Sequence, residues 1–129
     1  MGSGVFAVVL LIGLFQVKHL IADFFLQTPR MLCRRAIYLH PGRAEHAGLH
    51  GIGSAIVLAL FGTPVGLILG IVLAEWVVHY HVDWAKGRFV ETRKLTPASA
   101  LYWYATGTDQ ALHQLTYLAI AAVWAACCL

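Results

Sequence analysis

Four stretches of this chain are apolar for about the length that a helix needs to cross a bilayer, and this restricts the fold more than any other feature. A spanning helix takes about 20 mostly apolar residues, and such runs occupy residues 4–27, 44–61, 64–86 and 108–128. Gly62, Thr63 and Pro64 form a tight break between the second and third, which reads as a helical hairpin. Thr108 can cap the fourth span, with Gly107 as the break before it. The preceding residues 98–105 carry Tyr102, Trp103 and Tyr104 and read as a short interfacial segment at headgroup level. Only 12% of the 129 residues are charged and 60% are hydrophobic, against about 25% charged in a soluble domain. A small water-soluble enzyme is nearly excluded, and 129 residues are too few for an array of domains. The expectation is one all-α, polytopic membrane domain over residues 1–129, a four-transmembrane-helix bundle.

Loop charge sets the expected orientation, because Lys and Arg accumulate on the cytoplasmic side. Arg30, Arg34, Arg35 and Arg43 lie between spans one and two, and Lys86, Arg88, Arg93 and Lys94 between three and four. The first residues and the Gly62 turn carry none, so both termini are expected on the periplasmic side. A three-span chain with one re-entrant segment is the alternative. The opening apolar stretch lacks a basic region before it and outruns a signal-peptide core, so it reads as retained. A net charge of +3, held in loops, suggests no nucleic-acid partner. Cys33, Cys127 and Cys128 have neither disulfide nor zinc-finger spacing.

Ionisable residues inside a span cost about 2.5–3.5 kcal/mol each near the centre on insertion scales, so their positions are informative. The spans hold His19 and Asp23, His46 and His50, His79 and Asp83, and Asp109 and His113, every pair four residues apart. Residues so spaced stack on one helix face. At about 1.5 Å per residue from the cytoplasmic end of each span, all eight fall between about 2 and 12 Å deep. The order His then Asp reverses on the fourth span, as a reversed helix direction requires. Four polar stripes at one depth suggest a cavity open to the cytoplasm, and helix bundles build metal sites from such inward side chains. Imidazole and carboxylate without thiolate suit zinc, iron or manganese. A divalent cation would also relieve repulsion among the carboxylates. The plainer reading of each pair is a hydrogen bond between or along helices.

Glu75, one turn deeper than His79, is a candidate base, an orienting group, or the ion-pair partner of Lys18 at similar depth. Gln27, Gln110 and Gln114 are placed either to hydrogen-bond ligands or to cap and snorkel near the interface. His40 and His81 lie off the stripes. His46 and His50 have the spacing of a zinc-protease helix but lack its adjacent Glu, so that motif is not met.

The segment from His19 through Asp23 to Thr28, then His46 to His50, His79 to Asp83 with Lys86, and Asp109-Gln110-Ala111-Leu112-His113, resembles an uncharacterised inner-membrane family of bacteria and phages. That family is domain-of-unknown-function family 3307, and the likeness covers nearly the whole chain. Through the helices with His four before Asp there is a looser likeness to LexA-binding inner-membrane proteins described as metal-dependent hydrolases. The resemblance implies a multi-span protein of the bacterial inner membrane with these positions as its polar signature.

The residues favour a membrane-embedded metal-dependent hydrolase taking a lipid at the cytoplasmic leaflet, with all eight His and Asp as ligands or supports and Glu75 as the base. The contrasting expectation is a non-enzymatic accessory subunit of a larger membrane complex, or a homo-oligomer, with the cluster structural or cofactor-binding. Transport ranks last, because residues 56–61 and 65–73 offer no polar path outward.

Overall fold

A computed structural model describes residues 2–129. Among them there is no strand, and the helices are α1 (Gly2–Leu20), α2 (Pro29–Leu32), α3 (Pro41–Leu60), α4 (Val65–Thr92) and α5 (Ala100–Cys128). A π-helical turn, Ile21–Phe25, continues α1. The long helices form a closed ring in which α1 touches α3 and α5, and α4 touches α3 and α5, so α1 and α4 stand on one diagonal. Gly4 lies against Leu129, which brings both ends of the described chain together. The α3–α4 turn joins them at that end, since Trp124 Nε1 donates to Thr63 Oγ1 at 2.9 Å. The basic segments 26–40 and 93–99 close the opposite end.

The α3–α4 turn ends its helix as the sequence suggests. Gly62 takes φ +67°, and the amides of Gly62 and Thr63 return to the carbonyls of Ala59 and Leu58 at 3.0 and 3.2 Å. This double closure satisfies two of the carbonyls orphaned at a helix end and needs a left-handed residue, which glycine supplies without steric cost. Beside it sits the apolar core, with Leu11, Phe15, Leu58, Tyr117, Ala121 and Trp124 buried. Phe15 and Tyr117 stack at 5.4 Å between centroids.

Burial is inverted relative to a water-soluble bundle. Val5, Phe6, Val9, Ile52, Leu60, Leu69 and Leu73 are exposed, while Lys18, Glu75 and five histidines are buried. Three helical segments are long and apolar enough to cross a membrane: Gly2–Phe25, Val65–Thr92 and Ala100–Cys128. The remaining long helix, α3, has 20 residues, but its first half carries Arg43, Glu45, His46 and His50. Arg43, His46 and His50 are buried in the bundle, whereas Glu45 is exposed and pairs with Arg30 at 2.9 Å.

Two expectations are corrected. Residues 98–105 are not a separate interfacial segment, because α5 runs unbroken through Gly107 and Thr108, and Ser99 rather than Thr108 caps it by accepting from the Tyr102 amide. One glycine costs a helix only about 1 kcal/mol, which the surrounding 29-residue helix absorbs. At about 1.5 Å per residue α5 is longer than a hydrocarbon core of about 30 Å, and the aromatic residues form its first turns. Likewise α4 continues to Thr92, past the expected end at residue 86.

The segment before α3 is also more ordered than a basic loop suggests. Thr28 caps α2. The buried Arg43 donates to the carbonyls of Ile37 at 2.7 Å, of Tyr38 at 3.1 Å and of Arg35. Trp84 Nε1 donates to Ala36 O at 3.2 Å, and Tyr80 donates its hydroxyl to Tyr38 O. The segment is thereby fastened to α3 and α4.

Gly62→Ala should lower stability by about 1 kcal/mol through its left-handed backbone. Gly66→Ala, where an added Cβ meets nothing within 4 Å, should leave the midpoint unchanged or raised. Thermal unfolding of both in detergent checks this.

Candidate metal centre

At the loop end of the ring the four polar stripes meet. Helix α3 contributes His46 and His50 one turn apart, α4 contributes His79 and Asp83, α5 contributes Asp109 and His113, and α1 with its π turn contributes His19 and Asp23. The π turn closes through Leu26 N to Ile21 O at 3.1 Å, a five-residue bond that occurs mostly as single turns at functional sites. It lies where the Asp23 carboxylate reaches α3.

Asp23 Oδ1 is 2.9 Å from His50 Nε2 and 3.2 Å from His46 Nε2, and Asp23 Oδ2 is 3.2 Å from His19 Nε2. Asp83 Oδ2 is 3.3 Å from His79 Nε2 and 3.5 Å from His46 Nε2, and Asp83 Oδ1 is 3.2 Å from His113 Nε2. The His50 and His79 rings lie 4.0 Å apart and the His79 and His113 rings 4.1 Å. Two donor sets result, Asp23 with His46, His50 and His79, and His79 with Asp83 and His113, each with its ligand atoms within 4.8 Å of one another. His79 belongs to both.

His19 and Asp109 join the centre without joining either set. His19 is used on both nitrogens, with Nδ1 2.9 Å from the Tyr117 hydroxyl and Nε2 3.0 Å from Gln110 Oε1. Such bonds fix a ring's tautomer and direction. Asp109 lies 3.5 Å from His113 Nε2 and 3.8 Å from Lys86 Nζ. Lys86 therefore faces Asp109 rather than Asp83, which lies three residues before it on the same helix.

Glu75 sits one turn outside the cluster, where Lys18 Nζ donates to its Oε1 at 2.7 Å with both side chains buried. Because the backbones of α1 and α4 do not approach each other closely, this pair spans the ring diagonally. Lys18 also donates to Tyr117 at 3.1 Å and to the His50 carbonyl at 3.4 Å. Tyr117 is the residue that the sequence reading overlooks, although it lies four positions after His113 and so continues the α5 stripe. Its hydroxyl relays between Lys18, His19 and His50. Gln27 Nε2 lies 3.3 Å from His46 Nε2, and Gln110 donates to Asp23 Oδ2 at 3.3 Å. His81 bonds Tyr38 instead, and His40 lies near Cys33, both outside the centre.

The charges do not close. Lys18 answers Glu75 and Lys86 answers Asp109, but among the described residues no Lys or Arg pairs with Asp23 or Asp83. Their ionic contacts are all to histidine. Asp23 and Asp83 are partly buried, and carboxylates withdrawn from water favour a compensating positive charge, which protonated imidazoles or a cation would supply here. His46 Nδ1 is buried without a hydrogen-bond partner, while His79 Nε2 and Asp109 Oδ1 lie 3.3 and 3.5 Å from Asp83 and His113 but make no hydrogen bond of good geometry. Such orphans are uncommon in folded proteins and call for a ligand or water. The nitrogen and oxygen donors fit a divalent ion of the zinc, iron or manganese kind.

Among known proteins, the family model described as "Protein of unknown function (DUF3307)" matches residues 9–128. No curated protein and no solved structure matches the chain.

Removing Lys18 alone should be severe. Lys18→Met leaves Glu75 as an unpaired buried charge and should cost about 3–5 kcal/mol. Adding Glu75→Leu should recover most of that loss, as read from unfolding midpoints of the single and double variants in detergent.

Proposed function

The chain belongs to the DUF3307 family of proteins of unknown function, and from that premise we propose that it is a membrane-embedded metal-binding protein acting as a metal-dependent hydrolase at the cytoplasmic leaflet. One observation carries the reading: the Nε2 atoms of His46, His50, His79 and His113 converge on Asp23 and Asp83, which no Lys or Arg neutralises. Two carboxylates carry the charge that one divalent ion cancels.

In this reading α3 is a fourth crossing, its low hydropathy reflecting the ligands it supplies, and both termini face the periplasm of a bacterial inner membrane. Asp23, His46, His50 and His79, or His79, Asp83 and His113, would hold a divalent ion, zinc being the first candidate beside iron and manganese. A bound ion would supply Lewis acidity and bring the pKa of a coordinated water toward neutrality. His19 and Asp109 orient the ligands, the first by holding Asp23 and the second by holding His113. Glu75 anchors Lys18, whose ammonium positions His50 and Tyr117. A base role for Glu75 would have to act across that ammonium, so proton acceptance falls to Asp23 or Asp83. Membrane lipid is the partner at hand, since almost all of the chain is helix with apolar outer faces.

A non-enzymatic subunit of a larger membrane complex or a homo-oligomer is the rival. It is favoured by the fact that imidazolium could complete the network without any ion. Elemental analysis of the detergent-purified full chain separates the two. Stoichiometric metal is expected, lost in the double variant His46→Ala/His79→Ala, with His19→Ala weakening affinity about 10–100-fold as orienting groups do. Absence of metal after supply of zinc, iron and manganese, together with unchanged behaviour of Asn or Gln substitutions at these positions, would sink the proposal and select the rival.

A further inference from the structure

A second feature of the loop end lies outside the His/Asp centre. Between the segment after α2, the end of α4 and the start of α5 is a recess of about 640 Å³ whose walls include Arg34, Arg35, Lys86 and Lys94 against the single acid Glu91. Among the described residues, Arg34, Arg35 and Lys94 have no carboxylate in ion-pairing distance, and Arg35 reaches only Gln27 Oε1 at 3.4 Å. The ion pairs formed by Lys and Arg elsewhere are those of Lys18, Arg30 and Lys86. The recess therefore gathers three cations without an ion-pair partner, Arg34, Arg35 and Lys94, beside Lys86, whose ammonium lies 3.8 Å from Asp109.

Its backbone is unusual in a way that points to the same place. Arg34 and Lys94 take φ of +49° and +50°, and among the described residues they are the only non-glycine positions with positive φ. That conformation disfavours an L-residue, and glycine would relieve it. Both positions carry a cation instead, and both cations line one recess. At Lys94 the conformation closes the end of α4, with Lys94 N on Glu91 O at 3.1 Å and Leu95 N on Val90 O at 2.9 Å, the same double closure as at Gly62, and it fixes where the side chain leaves the helix.

Lys86 also lines a second cavity, of about 520 Å³, in the groove between α4 and α5. There the walls are mostly apolar, with Val82, Ala85 and Phe89 from α4 facing Leu101, Ala105 and Leu112 from α5, and Asp109 and Thr108 enter beside Lys86. Both helices are long and apolar enough to cross a membrane, so this groove faces acyl chains while the recess lies at headgroup level. A cationic recess joined through one lysine to an apolar groove has the polarity of an amphiphile.

We propose that the loop end of the bundle binds an anionic phospholipid, its phosphate held by Arg34, Arg35, Lys86 and Lys94 and its acyl chains in the α4–α5 groove. The site stands on the recess and groove alone and does not require an ion in the His/Asp centre. Charge complementarity selects a phosphate-bearing lipid over a zwitterionic one, and the apolar groove selects a lipid over free phosphate.

Native mass spectrometry of the full chain in neutral detergent, titrated with dioctanoyl phosphatidic acid, dioctanoyl phosphatidylcholine or inorganic phosphate, tests the site. Phosphatidic acid should bind on the order of ten-fold more tightly than phosphatidylcholine, and Arg34→Gln/Lys94→Gln should weaken it by about five-fold for each cation removed. Both substituted side chains are exposed, so folding should be retained, and metal content should match that of the parent. Ala85→Phe, which fills the groove from an exposed position, should weaken phosphatidic acid without any change of charge. Equal binding of the two lipids, or unchanged affinity in the double variant, overturns the proposal. Inorganic phosphate that binds as tightly as phosphatidic acid, with neither affected by Ala85→Phe, would make this a free-phosphate site and overturns it as well.

Discussion

Two carboxylates without a Lys or Arg partner, placed inside an apolar bundle, govern this structure. An isolated carboxylate in a low-dielectric interior is costly enough that it must be paired, protonated or bound to metal. Asp23 and Asp83 are surrounded by imidazoles from all four long helices. Every element is arranged to bring them there: the π turn beneath Asp23, the one-turn spacing of His46 and His50 on α3, and the matched stripes of α4 and α5. Glu75 and Asp109, the two fully buried acids, have ammonium partners, which isolates the imbalance at the centre of the ring.

That centre divides the bundle lengthwise. Toward the α3–α4 turn the interior is apolar, closed by Trp124 on Thr63 and by the stack of Phe15 on Tyr117. Tyr117 belongs to both halves, since its ring packs on Phe15 while its hydroxyl meets Lys18, His19 and His50. The diagonal Lys18–Glu75 pair lies at the same boundary and ties together two helices whose backbones stay apart. Replacing such a pair with apolar residues is often tolerated, whereas breaking it is not, so it acts as a register pin for the ring. On the loop side, Arg43, Tyr80 and Trp84 fasten the segment before α3 by its carbonyls, which holds Arg34 and Arg35 beside the end of α4.

Much of this was legible before any coordinates, because helical periodicity is local. A spacing of four places His79 with Asp83 and Asp109 with His113 on common faces wherever the helices happen to sit, and the equal depths followed from counting residues from the basic loops. The Lys18–Glu75 partnership was open to the same counting. Continuity of α5 through Gly107 was not, because a glycine and a threonine read as a boundary unless packing on both sides holds the helix together. Nor was the role of Tyr117, whose value depends on which neighbours face its hydroxyl. The fastening of residues 35–38 was hidden too, because carbonyl acceptors leave no mark in a sequence.

By itself, then, the amino-acid order determined that these residues form long apolar helices with one polar edge each, since hydrophobicity and a period of 3.6 residues act within a single segment. Only the tertiary arrangement decided which imidazoles share Asp23 and which share Asp83, that Lys86 answers Asp109 rather than Asp83, and that Arg34 and Lys94 meet across one recess. Those outcomes depend on helix rotation and on which helices are neighbours in the ring. Both are settled by contacts between segments far apart in the chain, and the electrostatics of a low-dielectric interior makes distances of a few ångströms decisive.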